Sequence, residues 1–473
     1  MERTKSENRP LLFGVANSDH QCEAFDEQWP RDVRDDWELK HPRKEGTRFW
    51  QLYETDVDNA AWLGCQLFRL SISWARVQPS ADQKISDDAL RHYVEVVRSI
   101  RLRKMEPLVT LLHLVWPRWV QETGDNPLNG LLSDRFPDLF AQYAGEIAHA
   151  LKDITYWCTI NEPNTVIMGY LFPSTWRAGP PPGLSGEIDA PEALERLIPN
   201  LFRAHAKAFR VIKDIIPHAL IGANPEATGL PPEHTQRLDT MARAITEKKS
   251  FAKHVKRLSR SRRTAKGPFR AIAPLLVYRA TVTSALNGNW WHLGMAGALS
   301  TYLCPADCVG HLDYLGLDYY WGVDAWWRIL RILKMISALS RGQYRNAPVW
   351  PQGLSQEITY LSGLFRGTPK PIMILENGCV DEADGYSRSR YIEEHVAEVL
   401  RAREQGADVI AYICWSISTN RELGAPFNPE SDFGLFHIDL DGDPTLERHA
   451  TAAATTYRNL IARHAAPSGP QGK

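Results

Sequence analysis

The chain has 473 residues, 44 % apolar and 10 % aromatic, with 55 Lys and Arg against 56 Asp and Glu and a formal net charge of -1. That balance excludes the chain-wide basic field of a nucleic-acid binder. No apolar run approaches the roughly eighteen residues that a membrane-spanning helix needs. The opening segment Met1 to Leu12 is polar and charged, without the apolar centre of a secretory signal. The seven Cys are irregularly spaced. They read as free, buried thiols in a reducing compartment, so a cytoplasmic location is expected, with peripheral contact at a membrane left open.

Along the chain, short apolar runs alternate with amphipathic stretches. Strands are predicted at Leu12–Ala16, Leu67–Ile72, Glu106–Leu111, Tyr156–Ile160, Ala219–Ala223, Tyr314–Tyr319, Ile372–Leu375 and Val409–Trp415. Their continuous rather than alternating apolar character suits parallel strands buried on both faces. Helical periodicity marks Thr47–Trp62, with Thr47 as a candidate cap, then Asp87–Arg103, Phe136–Leu151, Pro191–Ile216 and Ser389–Gly406. Eight such repeats fit a closed α/β barrel or a long doubly wound sheet. The first strand is not followed by Gly-x-Gly-x-x-Gly, and no phosphate-binding Lys loop is present. The expectation is therefore a single-domain (β/α)8 TIM barrel over residues 1–465, with a basic insertion around 245–305 and a flexible tail at 466–473. Cys304-x-x-x-Cys308 with His311 raises a metal site, but lacks a fourth ligand and zinc-knuckle spacing; a structural loop is preferred. The sixteen Trp divide between core packing and flat platforms for sugar rings.

In barrels the chemistry collects where strands end. The predicted strands end in Arg69 and Ser71, His113, Asn161–Glu162, Asp318–Tyr320, Glu376–Asn377 and Trp415–Ser416. Glu162 and Glu376 close the fourth and seventh strands, on opposite sides of one mouth. Two facing carboxyls suit glycoside hydrolysis, in which one protonates the leaving oxygen and the other attacks the anomeric carbon. Arg69 and Tyr320 are placed to pair with Glu376, and Asn161 to bind the sugar 2-hydroxyl. Glu162 alternates between acid and base.

The segments Thr-Ile-Asn-Glu-Pro-Asn (159–164) and Ile-Leu-Glu-Asn-Gly (374–378) resemble the two catalytic motifs of glycoside hydrolase family 1. The likeness extends through Phe13-Gly-Val-Ala with Gln21-x-Glu23, Phe68-Arg-Leu-Ser-Ile-Ser-Trp-Ala-Arg76, Glu106 to His113, Asp318-Tyr-Tyr320 and Cys414-Trp-Ser416 through Glu422. It implies retaining hydrolysis of β-glucosides, β-galactosides or β-fucosides, without cofactor or metal. Glu376 would be the nucleophile, flanked by Arg69 and Tyr320, and Glu162 the acid/base. Gln21, His113 and Asn161 would bind hydroxyls, Trp415 would stack beneath the ring, and Glu422 would grip the C4 and C6 hydroxyls. The chain departs from that pattern at Leu114 and Leu423, where the family has Trp, at Thr419 and Arg421, and at Asp318, where it has Asn. The Ser-x-x-Lys-Tyr signature of phosphosugar recognition is absent and Asp432 would repel a phosphate, which disfavours 6-phospho-β-glycosides.

Two stretches lack acid: 248–306, with Lys and Arg crowded into 248–263, and Ala325–Pro348, where Arg and Lys interleave with Trp326, Trp327 and aliphatic residues. They read as a solvated loop and an outer helix, or as a surface that meets anionic lipid. Three functions follow: a β-glycosidase acting on oligosaccharides or aryl and alkyl glycosides, a glycosyl-transferring relative acting on glycolipids, and a non-catalytic sugar binder. Nucleic acid is not an expected partner.

Overall fold

The computed structural model describes residues 9–23, 32–38, 42–82, 84–122, 129–171, 190–236, 240, 288–299, 301, 303–325, 328, 331, 341–365, 367–423 and 425–465. The basic run 248–263, most of 326–340, the expected insertion up to residue 287 and the tail 466–473 lie outside them.

Nine strands are parallel members of one sheet: β1 (Leu12–Ala16), β2 (Leu67–Ser71), β3 (Glu106–Leu112), β4 (Tyr156–Asn161), β5 (Leu220–Asn224), β6 (Glu226–Gly229), β7 (Leu315–Gly322), β8 (Ile372–Asn377) and β9 (Val409–Trp415). Their order is β5-β4-β3-β2-β1-β9-β8-β7-β6. Only Pro225 separates β5 from β6. A proline has no N–H to give the ladder, so one barrel strand is split: its first part pairs with β4 and its second with β7. The first part is tied to the chain entering β7, where Asp313 N donates to Ile221 O (2.8 Å) and Ile221 N donates to Asp313 Oδ2 (3.0 Å), and Asp318 N in β7 donates to Pro225 O (3.2 Å). The result is an eight-fold barrel, as the alternation of strands and helices implied. The fifth strand is longer than the predicted Ala219–Ala223 and is broken rather than ended by its proline.

The strands are buried along nearly their whole length, because side chains pack both inside the barrel and against the outer helices. Ser86 and Ser387 cap the helices Asp87–Leu102 and Arg388–Glu404 through the amides of Ala89 and Arg390, contacts worth about 1 kcal/mol each. Thr47 is not a cap. The helix Phe49–Leu63 starts after Arg48, whose φ is 53°, while the Thr47 hydroxyl donates to Cys22 O at 3.0 Å. Trp74, Trp116, Trp157 and Trp291 are core residues, so packing takes much of the indole content. All seven Cys are buried and unpaired. His311 donates from Nδ1 to Cys308 O (3.1 Å) and accepts at Nε2 from Arg210 (3.1 Å), which leaves neither ring nitrogen for a metal and makes this a structural loop. Among the described residues no helix is long and apolar enough to cross a membrane.

Candidate active site

Arg69 enters the barrel from β2 and is fully buried. Its Nε donates to Thr110 Oγ1 (3.0 Å), its Nη1 to Leu375 O (3.2 Å) and Glu376 Oε1 (2.5 Å), and its Nη2 to Asn161 Oδ1 (2.5 Å). One guanidinium thus ties β3, β4 and β8 to β2. Burial opposes its charge, but Glu376 beside it holds the proton more firmly than on an ordinary arginine. The Tyr320 hydroxyl, from β7, donates to Glu376 Oε2 at 2.6 Å. The end of β8 is fixed next to it: Asn377 donates to Tyr319 O (2.5 Å) and accepts from the Tyr412 hydroxyl (2.6 Å). Gly378 follows because a Cβ there would overlap the carbonyl oxygen of Trp415.

Glu162 ends β4 with a φ of 40°, a left-handed backbone that costs a non-glycine residue about 1 kcal/mol or more. Its amide donates to Asn224 O at 2.9 Å, and the helix Pro163–Leu171 starts at the next residue. One carboxyl oxygen each from Glu162, Asp318 and Glu376 lies within 4.8 Å of the others. Burial, and then the charge of Glu376, push the Glu162 carboxyl up to about 8. The same two causes push Asp318, which is fully buried, well above the usual carboxylate range. Three carboxyls share a single guanidinium. The trio could in principle hold a cation, but Arg69 already occupies one side of it.

The remaining predicted residues meet at the same mouth. Gln21 accepts from Ser18 Oγ at 2.5 Å and donates to Glu422 Oε2 (3.3 Å) and Asn420 Oδ1 (3.4 Å). Glu422 is pushed up to about 8 by burial. The His113 ring stacks on Trp415, with centroids 5.6 Å apart and planes at 11°. Burial, and then the charge of Arg69, drive the His113 imidazolium well below its usual range, so the ring is neutral. Asn161 Nδ2, His113 Nδ1, Asp318 Oδ1 and Glu422 Oε1 are buried without a partner among the described residues. Buried polar atoms are rarely left so; four at one mouth describe a surface shaped for a polyhydroxylated ligand.

Sequence reasoning did not single out three contributors. Asn224, at the end of β5, donates to Asn161 Oδ1 at 2.6 Å and also to Asp318 Oδ2. It directly follows the predicted strand Ala219–Ala223, as Asn161 follows Tyr156–Ile160, so the strand-end rule reaches it too. Glu226 opens β6; burial and the nearby Glu162 push its carboxyl well above the usual range. Asn164 clasps its backbone in both directions, at 2.8 and 2.9 Å. The third is a charge network behind Gln21. His20 lies between Asp32 (2.7 Å) and Glu38 (3.3 Å), Arg34 bonds Glu38 (2.9 Å) and Leu114 O (3.0 Å), and Arg43 holds both oxygens of Asp35 (2.9 Å each). Its members lie in and beside helices of four and five residues, too short for periodicity to carry a signal.

Of the departures from the family pattern, Thr419 donates to Asp432 Oδ1 (2.9 Å) and Arg421 to Asp441 (2.8 Å).

The family model for glycosyl hydrolase family 1 matches residues 14–268 and 337–466. Among curated relatives, a β-galactosidase of Saccharolobus solfataricus is 25 % identical over 88 % of this chain and 84 % of its own length. A chloroplastic galactolipid galactosyltransferase of Arabidopsis thaliana is 22 % identical over 86 % of this chain and 57 % of its own. The solved structure of a family 1 β-glucosidase from Thermotoga maritima superposes with a TM-score of 0.72 at 18 % identity, covering 97 % of this chain and 99 % of that one.

Proposed function

Because the chain belongs to glycosyl hydrolase family 1, we propose that it is a retaining β-glycosidase with Glu376 as nucleophile and Glu162 as acid/base. The close approach of the two carboxyls, one oxygen of each within 4.8 Å of the other, carries the reading. Retention needs the two carboxyls about 5–5.5 Å apart, whereas inversion needs roughly 6.5–9.5 Å to admit a water. Glu376 attacks the anomeric carbon as the bond to the leaving oxygen breaks, and Glu162 gives that oxygen its proton. Water then adds to the same carbon, releasing Glu376, while Glu162 takes the water's proton. A carboxyl raised to about 8 still holds its proton near neutrality for the first step. Once Glu376 is esterified its charge is gone, which lowers Glu162 and fits it to act as a base.

Arg69 and Tyr320 hold the two oxygens of Glu376 in place for attack. Gln21, His113, Asn161 and Glu422 bind the sugar hydroxyls and Trp415 stacks on the ring. The substrates are β-glucosides, β-galactosides or β-fucosides. Leu423 removes an indole donor that the family offers, so glucose is not favoured by default. Asp432, already bonded to Thr419, Gly434 N and His437, argues against a 6-phosphosugar. A second reading, transfer of the sugar to a glycolipid acceptor through the same intermediate, draws support from that non-standard pocket and from the relative named as a galactolipid galactosyltransferase.

The test is release of nitrophenol from aryl β-D-glucoside, galactoside, fucoside and mannoside by the parent and by Glu376→Gln. Release that is lost in the variant supports the retaining reading and identifies the sugar. If no aryl glycoside is cleaved, the hydrolase reading fails, and sugar transfer in anionic liposomes becomes the assay to run.

A further inference from the structure

Arg69 has hydrogen-bond donors and no acceptor. Its Nη2 therefore meets Asn161 at Oδ1, which turns Asn161 Nδ2 away; that nitrogen is buried and has no partner among the described residues. Asn161 Oδ1 also accepts from Asn224 Nδ2, so the orientation of Asn224 is set in turn, and its own Oδ1 accepts from Cys158 Sγ at 2.8 Å. The second proton on Asn224 Nδ2 is directed at Asp318 Oδ2. A continuous relay thus runs Asp318, Asn224, Asn161, Arg69, Glu376, from β7 through β5, β4 and β2 to β8.

Asp318 stands at the head of this relay with no role in the proposed chemistry. It is fully buried, and its Oδ1 has no partner among the described residues. We infer that Asp318 is a positioning residue: through Asn224 it holds Asn161 with its free amide nitrogen toward the substrate, and so makes the enzyme selective for glycosides that carry a hydroxyl next to the reacting carbon. This rests on the glycosidase reading. The groups facing Asp318 are Glu376, Arg69, Glu162 and Cys158, and burial among two other carboxyls with one cation favours its protonated form. That proton belongs on Oδ1, because Oδ2 must stay an acceptor for Asn224. Asparagine would reproduce the arrangement, with its oxygen toward Asn224 and its nitrogen where the acid proton lies. Leucine fills similar space and offers nothing.

The experiment compares kcat/KM for the aryl β-glycoside that the parent prefers with that for its 2-deoxy counterpart, in the parent, Asp318→Asn and Asp318→Leu. In Asp318→Leu the preference for the 2-hydroxylated substrate is expected to fall about tenfold or more, as for loss of a buried hydrogen bond, while the 2-deoxy substrate slows far less. Asp318→Asn is expected to keep the preference to within about threefold. Asn224→Ala breaks the relay one step nearer to Asn161 and carries the same prediction should Asp318→Leu fail to fold. Equal slowing of both substrates in Asp318→Leu, an unchanged preference in Asn224→Ala, or a loss in Asp318→Asn as large as in Asp318→Leu would each overturn the inference. A parent that cleaves neither substrate would instead remove the glycosidase reading beneath it.

Discussion

Two charged clusters are buried at the same end of this barrel, and they are built on opposite plans. In the network behind Gln21, both nitrogens of His20 meet carboxylates, Asp32 caps the helix Val33–Trp37, and Arg34 and Arg43 each close on an acid. At the mouth, among the described residues, Glu162, Asp318 and Glu376 crowd around Arg69, Glu162 sits on left-handed backbone, and four polar atoms lack a partner. Burying charge is tolerable when each charge is paired. The first cluster satisfies that rule and acts as a frame. The second violates it where a substrate would supply the missing bonds. Of these two clusters, only the one at the mouth leaves buried polar side-chain atoms without a partner among the described residues.

The difference is tested hardest at the mouth. Glu376→Ala is expected to lower turnover of the best aryl glycoside by about 10⁴-fold or more, measured by steady-state kinetics. Azide should then restore turnover and give the inverted glycosyl azide, detectable by NMR; no rescue would argue that Glu376 is not the nucleophile.

Next in size is Glu162→Gln. Loss of a positioned acid costs about 10²- to 10⁴-fold, and the cost should be greatest for poor leaving groups. In the parent, kcat/KM should fall as pH rises through about 8, because the acid must be protonated and burial with Glu376 sets its proton affinity there. That alkaline limb should be missing from the pH profile of the variant.

In the frame the effect shifts from rate to stability. Arg34→Met leaves Glu38 buried with one partner fewer, a change expected to destabilise by about 3–5 kcal/mol, read as a lower midpoint in urea. A variant as stable as the parent would show that the network is no frame.

The smallest effect concerns His20. Burial alone would lower its proton affinity, but Asp32, with Glu38 on the other nitrogen, raises it from 6.5 to about 10. A raised folded-state value stabilises fully below about 6.5 and is lost as pH rises toward 10. Thermal melts between pH 7 and 10 should therefore fall for the parent and fall less steeply for His20→Gln.

The barrel was legible because parallel strands buried on two faces leave continuous apolar runs, and because Glu162, Glu376, Arg69 and Tyr320 stand at the ends of such runs. Asn224, directly after the predicted Ala219–Ala223, obeys the same rule. The His20 network was not legible: Asp32, Arg34 and Glu38 sit in and around the five-residue helix Val33–Trp37 and Arg43 beyond it, and nothing in their spacing says which acid meets which base. Thr47 illustrates a local rule overruled by a tertiary contact, since its hydroxyl found Cys22 O before it could cap a helix.

The split at Pro225 also has a bearing on how the barrel breathes. Elsewhere neighbouring strands are joined by main-chain ladders, some with register shifts, but across this seam the amide of Ile221 is held by the side chain of Asp313. A side chain can swing aside without unfolding the ladder, so deuterium should enter at Ile221 well before it enters β2 or β9. The cylinder opens first along the line that carries Asn224 and Glu226 to the mouth.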